Sequence, residues 1–266
     1  IGHTYSFTLT LLNELRLGFN RFNTPHYGSD SNLDINNELG IKNGNLAGFP
    51  ETRGVANFTI PGLTGTGSPG FTNALRLSNT YQITENVTWV KSAHTLKFGV
   101  DLKRIESTLT NPESNPRGFF NFNTNMTSLV GAGGAAFASF LLGYPDNYGR
   151  SIVDTRPAVR MFASGLYVQD DWRVTRNLTL NLGLRHDLFT HPHERHNRHS
   201  NLDLTTGKIV LANDDNTGPN IDTAKKNFGP RFGFAYSPDD GKTAVRGSFG
   251  IGYFTGNFGA NGGTLE

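Results

Sequence analysis

Four histidines, His191, His193, His196 and His199, crowd one short polar stretch at spacings that would let their imidazoles meet a metal ion. Imidazole is a good ligand, but a site also needs convergent geometry and partners that orient each ring. The stretch has no helical or strand period to supply either, so it reads as a solvated loop and no metal ligand is assigned. Two acidic groups raise the same question for calcium: Asp30, Asn32 and Asp34, and separately Asp214, Asp215 and Asp222. The first lacks the glycine and the closing glutamate of an EF-hand loop, and neither is assigned a cation. Gly131, Gly133 and Gly134 suggest a phosphate-binding turn, yet no buried strand precedes them and no P-loop lysine follows. Asn-x-Thr triplets at Asn57, Asn86, Asn125 and Asn177 would accept glycans only in a eukaryotic secretory context. No Ser/His/Asp or paired-carboxylate arrangement is tied to a pocket, so the sequence assigns no catalytic residue, no cofactor and no enzymatic reaction.

The remaining charges take their meaning from the elements that carry them. Leu178, Leu180, Leu182 and Leu184 alternate with Thr179, Asn181, Gly183 and Arg185, and successive side chains of an extended strand point to opposite faces. The same alternation runs through Tyr5, Phe7 and Leu9, then Leu15, Leu17 and Phe19, with a reversal near Thr10 to Asn13. It returns in Tyr81, Ile83, Val87 and Trp89, turns through Lys91 to Ala93, and continues in Leu96, Phe98, Val100 and Leu102. Glu85 falls in the apolar phase there, an interruption that a bulge or a local shift would have to absorb. Phe162, Leu166, Val168 and Trp172 lead through a turn at Thr175 to Asn177 into the leucine strand. Phe232, Phe234 and Tyr236 turn at Pro238 to Lys242, where Asp-Gly is strong hairpin chemistry, into Val245, Phe249, Ile251 and Tyr253.

Eight strands of about 9 to 12 residues follow, which suits the ~9–11 residues that a tilted strand needs to cross a bilayer. The four hairpins have short turns at one end. At the other, polar segments run from Asn23 to about Thr72, from Glu106 to about Pro157 and from Thr190 to Asn227, far beyond the usual hairpin loop of ~2–5 residues. The first reads as exposed loop throughout. The second holds a short strand at Phe119 to Phe122 and one or two helical turns over Ala135 to Leu142, ending at Gly143. One-sided long loops and a period-2 apolar face predict an antiparallel meander that is part of a transmembrane β-barrel, with lipid on one face and water on the other.

Composition agrees. An apolar fraction of 36% falls below the ~45–50% of ordinary globular chains, which argues against a thick soluble core. Mean hydropathy is −0.40 and no stretch nears the ~20 apolar residues of a membrane helix, as expected when only alternate residues face lipid. There is no cysteine, hence no disulfide framework or thiolate site. The net charge of +2 is scattered, without basic runs interleaved with aromatics, so nucleic acid is not a partner. Opening at Ile1 without Met or signal, and closing on a Gly-rich tail, the 266 residues read as one barrel segment cut at both ends.

This frame assigns Arg16, Lys97, Asp101, Lys103, Arg185, Asp187, Arg231 and Arg246 to the lumen, where they would pair across strands, touch a plug or line a ligand path. Trp89, Trp172 and Tyr236 each precede a short turn and would form a girdle at one membrane interface.

The chain resembles the barrel of TonB-dependent outer-membrane transporters, in particular the Oar-like receptors with an N-terminal carboxypeptidase-regulatory-like domain. The matching segments are Leu12-Asn-Glu-Leu-Arg-Leu-Gly-Phe-Asn-Arg21, His94-Thr-Leu-Lys-Phe-Gly-Val-Asp101, Ala138-Ser-Phe-Leu-Leu-Gly-Tyr-Pro145, Tyr167-Val-Gln-Asp-Asp-Trp-Arg-Val174, Asn177-Leu-Thr-Leu-Asn-Leu-Gly-Leu-Arg185 and Asn227-Phe-Gly-Pro-Arg-Phe-Gly-Phe-Ala-Tyr236, with a Leu204-Thr-Thr-Gly-Lys-Ile-Val210 hairpin between the last two. The resemblance implies a Gram-negative outer membrane, lipid around the barrel, an extracellular ligand, and a TonB complex acting through a plug domain that this sequence does not contain. Two other readings share the alternation. A self-closing eight-stranded barrel with a structural or adhesive role would pair its first and last strands. A secreted β-sandwich binding module would bury the apolar face between two sheets.

Overall fold

The computed structural model describes residues 1–68, 73–110, 115–151, 157–213, 215, 222–238 and 242–254. Contacts divide the chain into two compact units, one from Ile1–Arg21, Ser78–Ser107 and the chain from Ala158 onward, the other from Phe22–Leu77 and Thr108–Pro157.

The eight expected strands are present: β1 (Gly2–Thr8), β2 (Leu11–His26), β3 (Ala74–Lys91), β4 (His94–Thr110), β5 (Ala158–Arg173), β6 (Leu178–Phe189), β7 (Phe228–Tyr236) and β8 (Val245–Gly250). Each pairs with the next in sequence to form one meander sheet. A single sheet with an exposed apolar face is not a sandwich. Among the described residues β1 and β8 each have one neighbour, so the sheet is open rather than closed on itself.

The turns follow local chemistry. Ser92 adopts a left-handed φ of 52° between β3 and β4. Between β5 and β6 the Thr175 N–H donates to the Leu178 carbonyl at 3.2 Å, and the Thr175 hydroxyl accepts from the Asn177 N–H at 3.2 Å. The β7–β8 turn expected at Pro238 to Lys242 falls partly outside the described residues.

Strand lengths correct the expectation. β2, β3, β4 and β5 run 16, 18, 17 and 16 residues. Apolar alternation marks only the part of a strand that presents an apolar face, whereas a hydrogen-bonded ladder needs no apolar side chain and continues through polar residues such as Asn20, Arg21 and Asn23.

The second unit corrects it again. Much of Asn23 to Thr72, which offered no period, is folded. A helix at Ile35–Glu38 and a 3₁₀ turn at Pro50–Thr52 lead to a strand at Asn57–Thr59. That strand pairs in parallel with Phe119–Asn121, which pairs antiparallel with Asn147–Gly149. The core here is largely polar. Asn36 is fully buried and its amide donates to the Arg117 carbonyl at 3.1 Å while accepting from the Ala56 N–H at 2.8 Å. Asp30 accepts from the Val55 N–H at 2.7 Å and from the Ser68 hydroxyl at 2.6 Å, and lies 3.7 Å from the Arg117 guanidinium. Burial works to raise the Asp30 pKa, but these donors and the arginine hold it below the ordinary value. Phe58, Phe120, Phe122 and Phe140 supply the apolar part, with Phe122 and Phe140 edge to face at 5.2 Å. The expected helical piece is the helix Ala136–Leu141, stopped by Gly143 at φ 71°.

Candidate functional site

Residues directly opposite in a ladder point to the same side of the sheet. Register sets Asp171 opposite Asn181, Gln169 opposite Gly183 and Tyr167 opposite Arg185. It then sets Gly183 opposite Arg231, Asn181 opposite Gly233 and Thr179 opposite Ala235, and finally Ala235 opposite Arg246. The charges expected on the lumen side in these strands thus share one polar face.

That face is tied together by ion pairs and amides. Lys97 Nζ lies 3.0 Å from Asp171 Oδ2, and Asp171 Oδ1 accepts from Gln169 at 2.9 Å and Asn181 at 2.7 Å. Asp101 takes Lys103 at 3.0 Å, Gln82 at 2.8 Å and the Thr84 hydroxyl at 3.2 Å. Arg185 Nε donates to both oxygens of Asp187, at 2.9 and 3.1 Å, and Asp187 is buried, so the pair answers the cost of an unpaired carboxylate. Arg16 pairs with Glu14 through Nε at 2.9 Å. Arg231 and Arg246 are exposed. Two glycines make room for long side chains lying across the sheet. A Cβ on Gly99 would overlap the Tyr167 ring, whose hydroxyl donates to Asn86 at 2.8 Å, and one on Gly165 would overlap the Arg185 guanidinium.

Sequence reasoning found the lysines and arginines but missed Asp171, Gln169, Asn181, Gln82, Thr84, Asn86 and Tyr167. The signal was available, since each occupies the polar phase of its strand.

On the opposite face many apolar residues are exposed to more than a third, Phe98, Leu166, Val168, Leu184 and Phe232 among them. Glu85, the interruption in β3, accepts a hydrogen bond from the Asn13 amide of β2, itself in the apolar phase. A polar partner absorbs what the sequence assigned to a bulge or shift. Trp89, Trp172 and Tyr236 lie near the C-terminal ends of β3, β5 and β7. Lys91 Nζ stands 5.0 Å over Trp89, and His94 stacks on Trp172 at 5.3 Å while bonding Asp170 at 2.7 Å.

In the histidine loop the rings of His191 and His193 meet edge to face at 6.5 Å. His193 and Glu194 pair with Arg160 and Val159 of β5. His199 Nδ1 accepts from the Glu194 N–H at 3.2 Å, and His191 Nδ1 meets the Thr223 hydroxyl at 3.3 Å. Burial first, then the positive neighbourhood of His191 and Arg160, lowers the His193 pKa. Among the described residues no three His, Asp or Glu side chains converge as a metal site. Asp34 accepts from the Asn37 amide at 2.8 Å, and Asp214 lies outside the described residues. Gly131, Gly133 and Gly134 all have positive φ, Gly131 inside a tight turn closed by a Leu129–Ala132 bridge and the other two just after it.

Glu194 is the anchor of that loop. Its side chain is buried and accepts from the backbone N–H groups of His196 at 2.8 Å, Arg198 at 3.0 Å and Ala158 at 3.3 Å, and from the Arg198 guanidinium at 3.3 Å. Burial alone would raise its pKa, but these donors bring it down to about 2. A folded pKa below the unfolded value contributes stability that is present above about pH 4.5 and is lost as pH falls toward 2. The contribution is at most about 3 kcal/mol, at 1.36 kcal/mol per unit. Hydrogen-exchange protection of residues 193–200, corrected for intrinsic rates, is expected to fall between about pH 5 and about pH 3. E194Q should remove that dependence and be less protected at neutral pH. Equal protection across the range would refute the assignment.

The family described as outer membrane beta barrel domain matches residues 1–265. The chain belongs to that family. It is therefore an all-β outer-membrane barrel protein, with its meander making part of the barrel wall. Among solved structures, the chain is similar to one titled "Copper transporter OprC", at 12% sequence identity and a TM-score of 0.47, covering 94% of this chain and 28% of that one. The barrel-domain chain thus spans little more than a quarter of that protein's length. No curated protein matches it in sequence.

Proposed function

We propose that this barrel domain is part of a TonB-dependent, Oar-like receptor that binds an extracellular ligand and admits it through the outer membrane, without catalysing a reaction. The observation that carries the reading is the two-sidedness of one sheet. One face presents exposed leucine, valine and phenylalanine, and the other is an ordered network of ion pairs, amides and lone arginines. In this reading the apolar face meets lipid, with Trp89, Trp172 and Tyr236 at an interface, and the polar face lines the lumen. The open sheet, with β1 and β8 each lacking a second neighbour, supports a share of a larger barrel over a self-closed small one. The family segments quoted from the sequence support the TonB-dependent class, and the folded second unit supports loops ordered enough to recognise a ligand.

The test uses the full-length protein carrying this chain. Its purified form in detergent is expected to bind the periplasmic C-terminal domain of TonB, and to do so more tightly when extracellular ligand is present. Absence of any TonB binding by a folded full-length protein would refute the transporter class and leave an outer-membrane barrel of another kind.

A further inference from the structure

The polar face carries three acid–base pairs over β4 to β6: Lys97 with Asp171, Lys103 with Asp101, Arg185 with Asp187. β7 and β8 hold two arginines and no acid. Among the described residues neither the Arg231 nor the Arg246 guanidinium takes part in a hydrogen bond or ion pair. The Arg173 guanidinium, in the same row opposite Thr179, has none either.

Both arginines line one groove of about 910 Å3, together with Thr179, Asn181 and Ser248. Register places Arg231 opposite Gly250, Gly233 opposite Ser248 and Ala235 opposite Arg246. The two arginines therefore stand at opposite ends of a short track whose polar-side positions between them hold only Gly233, Ser248 and Ala235. Their backbone positions are separated by about 13 Å along the strands, at ~3.3 Å per residue. Glycine also makes the floor. A Cβ on Gly250 would come 3.2 Å from Arg231 Cγ, and one on Gly183 would come 3.5 Å from Arg231 Cβ. The missing side chains let the arginine stem lie low and leave its guanidinium available above the track.

We propose that this groove binds an anionic ligand, one carrying carboxylate or phosphate groups. Guanidinium forks bind such groups through paired N–H donors, and Thr179, Asn181 and Ser248 offer hydroxyl and amide contacts between the two charges. Two cations on strands that carry no acid also concentrate anions locally before contact. The proposal rests on the polar face being the lumen.

The experiment uses the full-length protein in detergent, with citrate and tripolyphosphate as probes followed by titration calorimetry. R231Q/R246Q is expected to weaken both at least tenfold and R231K/R246K less, while K208Q, on the remote Ser200–Asp203 and Lys208–Leu211 hairpin, leaves binding unchanged. Binding by the parent should weaken as salt is raised. In parallel, Ser248→Cys is treated in intact outer membranes with a charged, membrane-impermeant thiol reagent. Labelling with undiminished citrate and tripolyphosphate binding in R231Q/R246Q overturns the groove alone. Failure to label overturns the lumen reading and the groove with it. A double variant that loses several degrees of thermal midpoint without any anion also overturns the proposal, because the arginines would then be holding another part of the protein.

Discussion

Asn36→Leu is expected to open the second unit while leaving the eight-stranded sheet intact. Leucine keeps the branched heavy-atom skeleton of asparagine but cannot bond, so the buried Ala56 N–H and Arg117 carbonyl both lose the bond to residue 36. Each unsatisfied buried group costs about 1–3 kcal/mol, and the pair about 3–5 kcal/mol. The backbone N–H of residue 36 keeps its bond to Asn45 Oδ1, so the damage is confined to the side chain's own contacts. Those contacts join segments distant in sequence, which makes Asn36 a cross-link of the unit rather than a local cap. Limited proteolysis of the full-length protein should show new cleavage within residues 22–77 at temperatures where the parent resists. Strand content by circular dichroism should not change. A parent-like cleavage pattern would show that the polar core is not what holds this unit.

A charge on the apolar face is expected to cost more than the same charge on the polar face. Leu184 lies in mid-strand of β6, opposite Val168 and Pro230 and 45% exposed on the apolar side. Leu184→Arg should destabilise the full-length protein folded into lipid vesicles by about 2–4 kcal/mol, the cost of a basic residue near the bilayer midplane. Gln82→Arg, on the polar face beside Asp101, should change stability by less than about 1 kcal/mol, because the new guanidinium keeps the carboxylate as partner and stays in water. Urea unfolding followed by tryptophan fluorescence reads both. Equal costs would mean that the two faces meet the same solvent, which is incompatible with one facing lipid.

The two substitutions separate what is local from what is not. The strands were legible because a period of two is a property of neighbouring residues: Leu178 to Arg185 declares its two faces without reference to any other segment. The short turns were legible for the same reason, as were the helix ending at Gly143 and the Ser200–Asp203 and Lys208–Leu211 hairpin. Strand ends were not, since β2 and β3 continue as ladders where alternation has faded, and a ladder depends on the partner's backbone rather than on the strand's own side chains.

Which charges meet was also hidden. Lys97 and Asp171 lie 74 positions apart, and only the register of β4 against β5 brings their ends to 3.0 Å. A one-residue slip would send one of them to the other face. The folded second unit was hidden most completely, because its core is built around Asn36, Asn45 and Thr52, residue types that announce an exposed loop. Their burial is stable only when remote backbone donors and acceptors, such as those of Ala56 and Arg117, arrive to satisfy them. The sequence by itself thus determined the period-2 strands, the side of each strand that is apolar and the outer-membrane barrel class. Only the packing of remote segments settled which acids and bases pair on the polar face, that Arg231 and Arg246 stand without an acid there, and the order of the loops, because each depends on atoms from chain segments far apart.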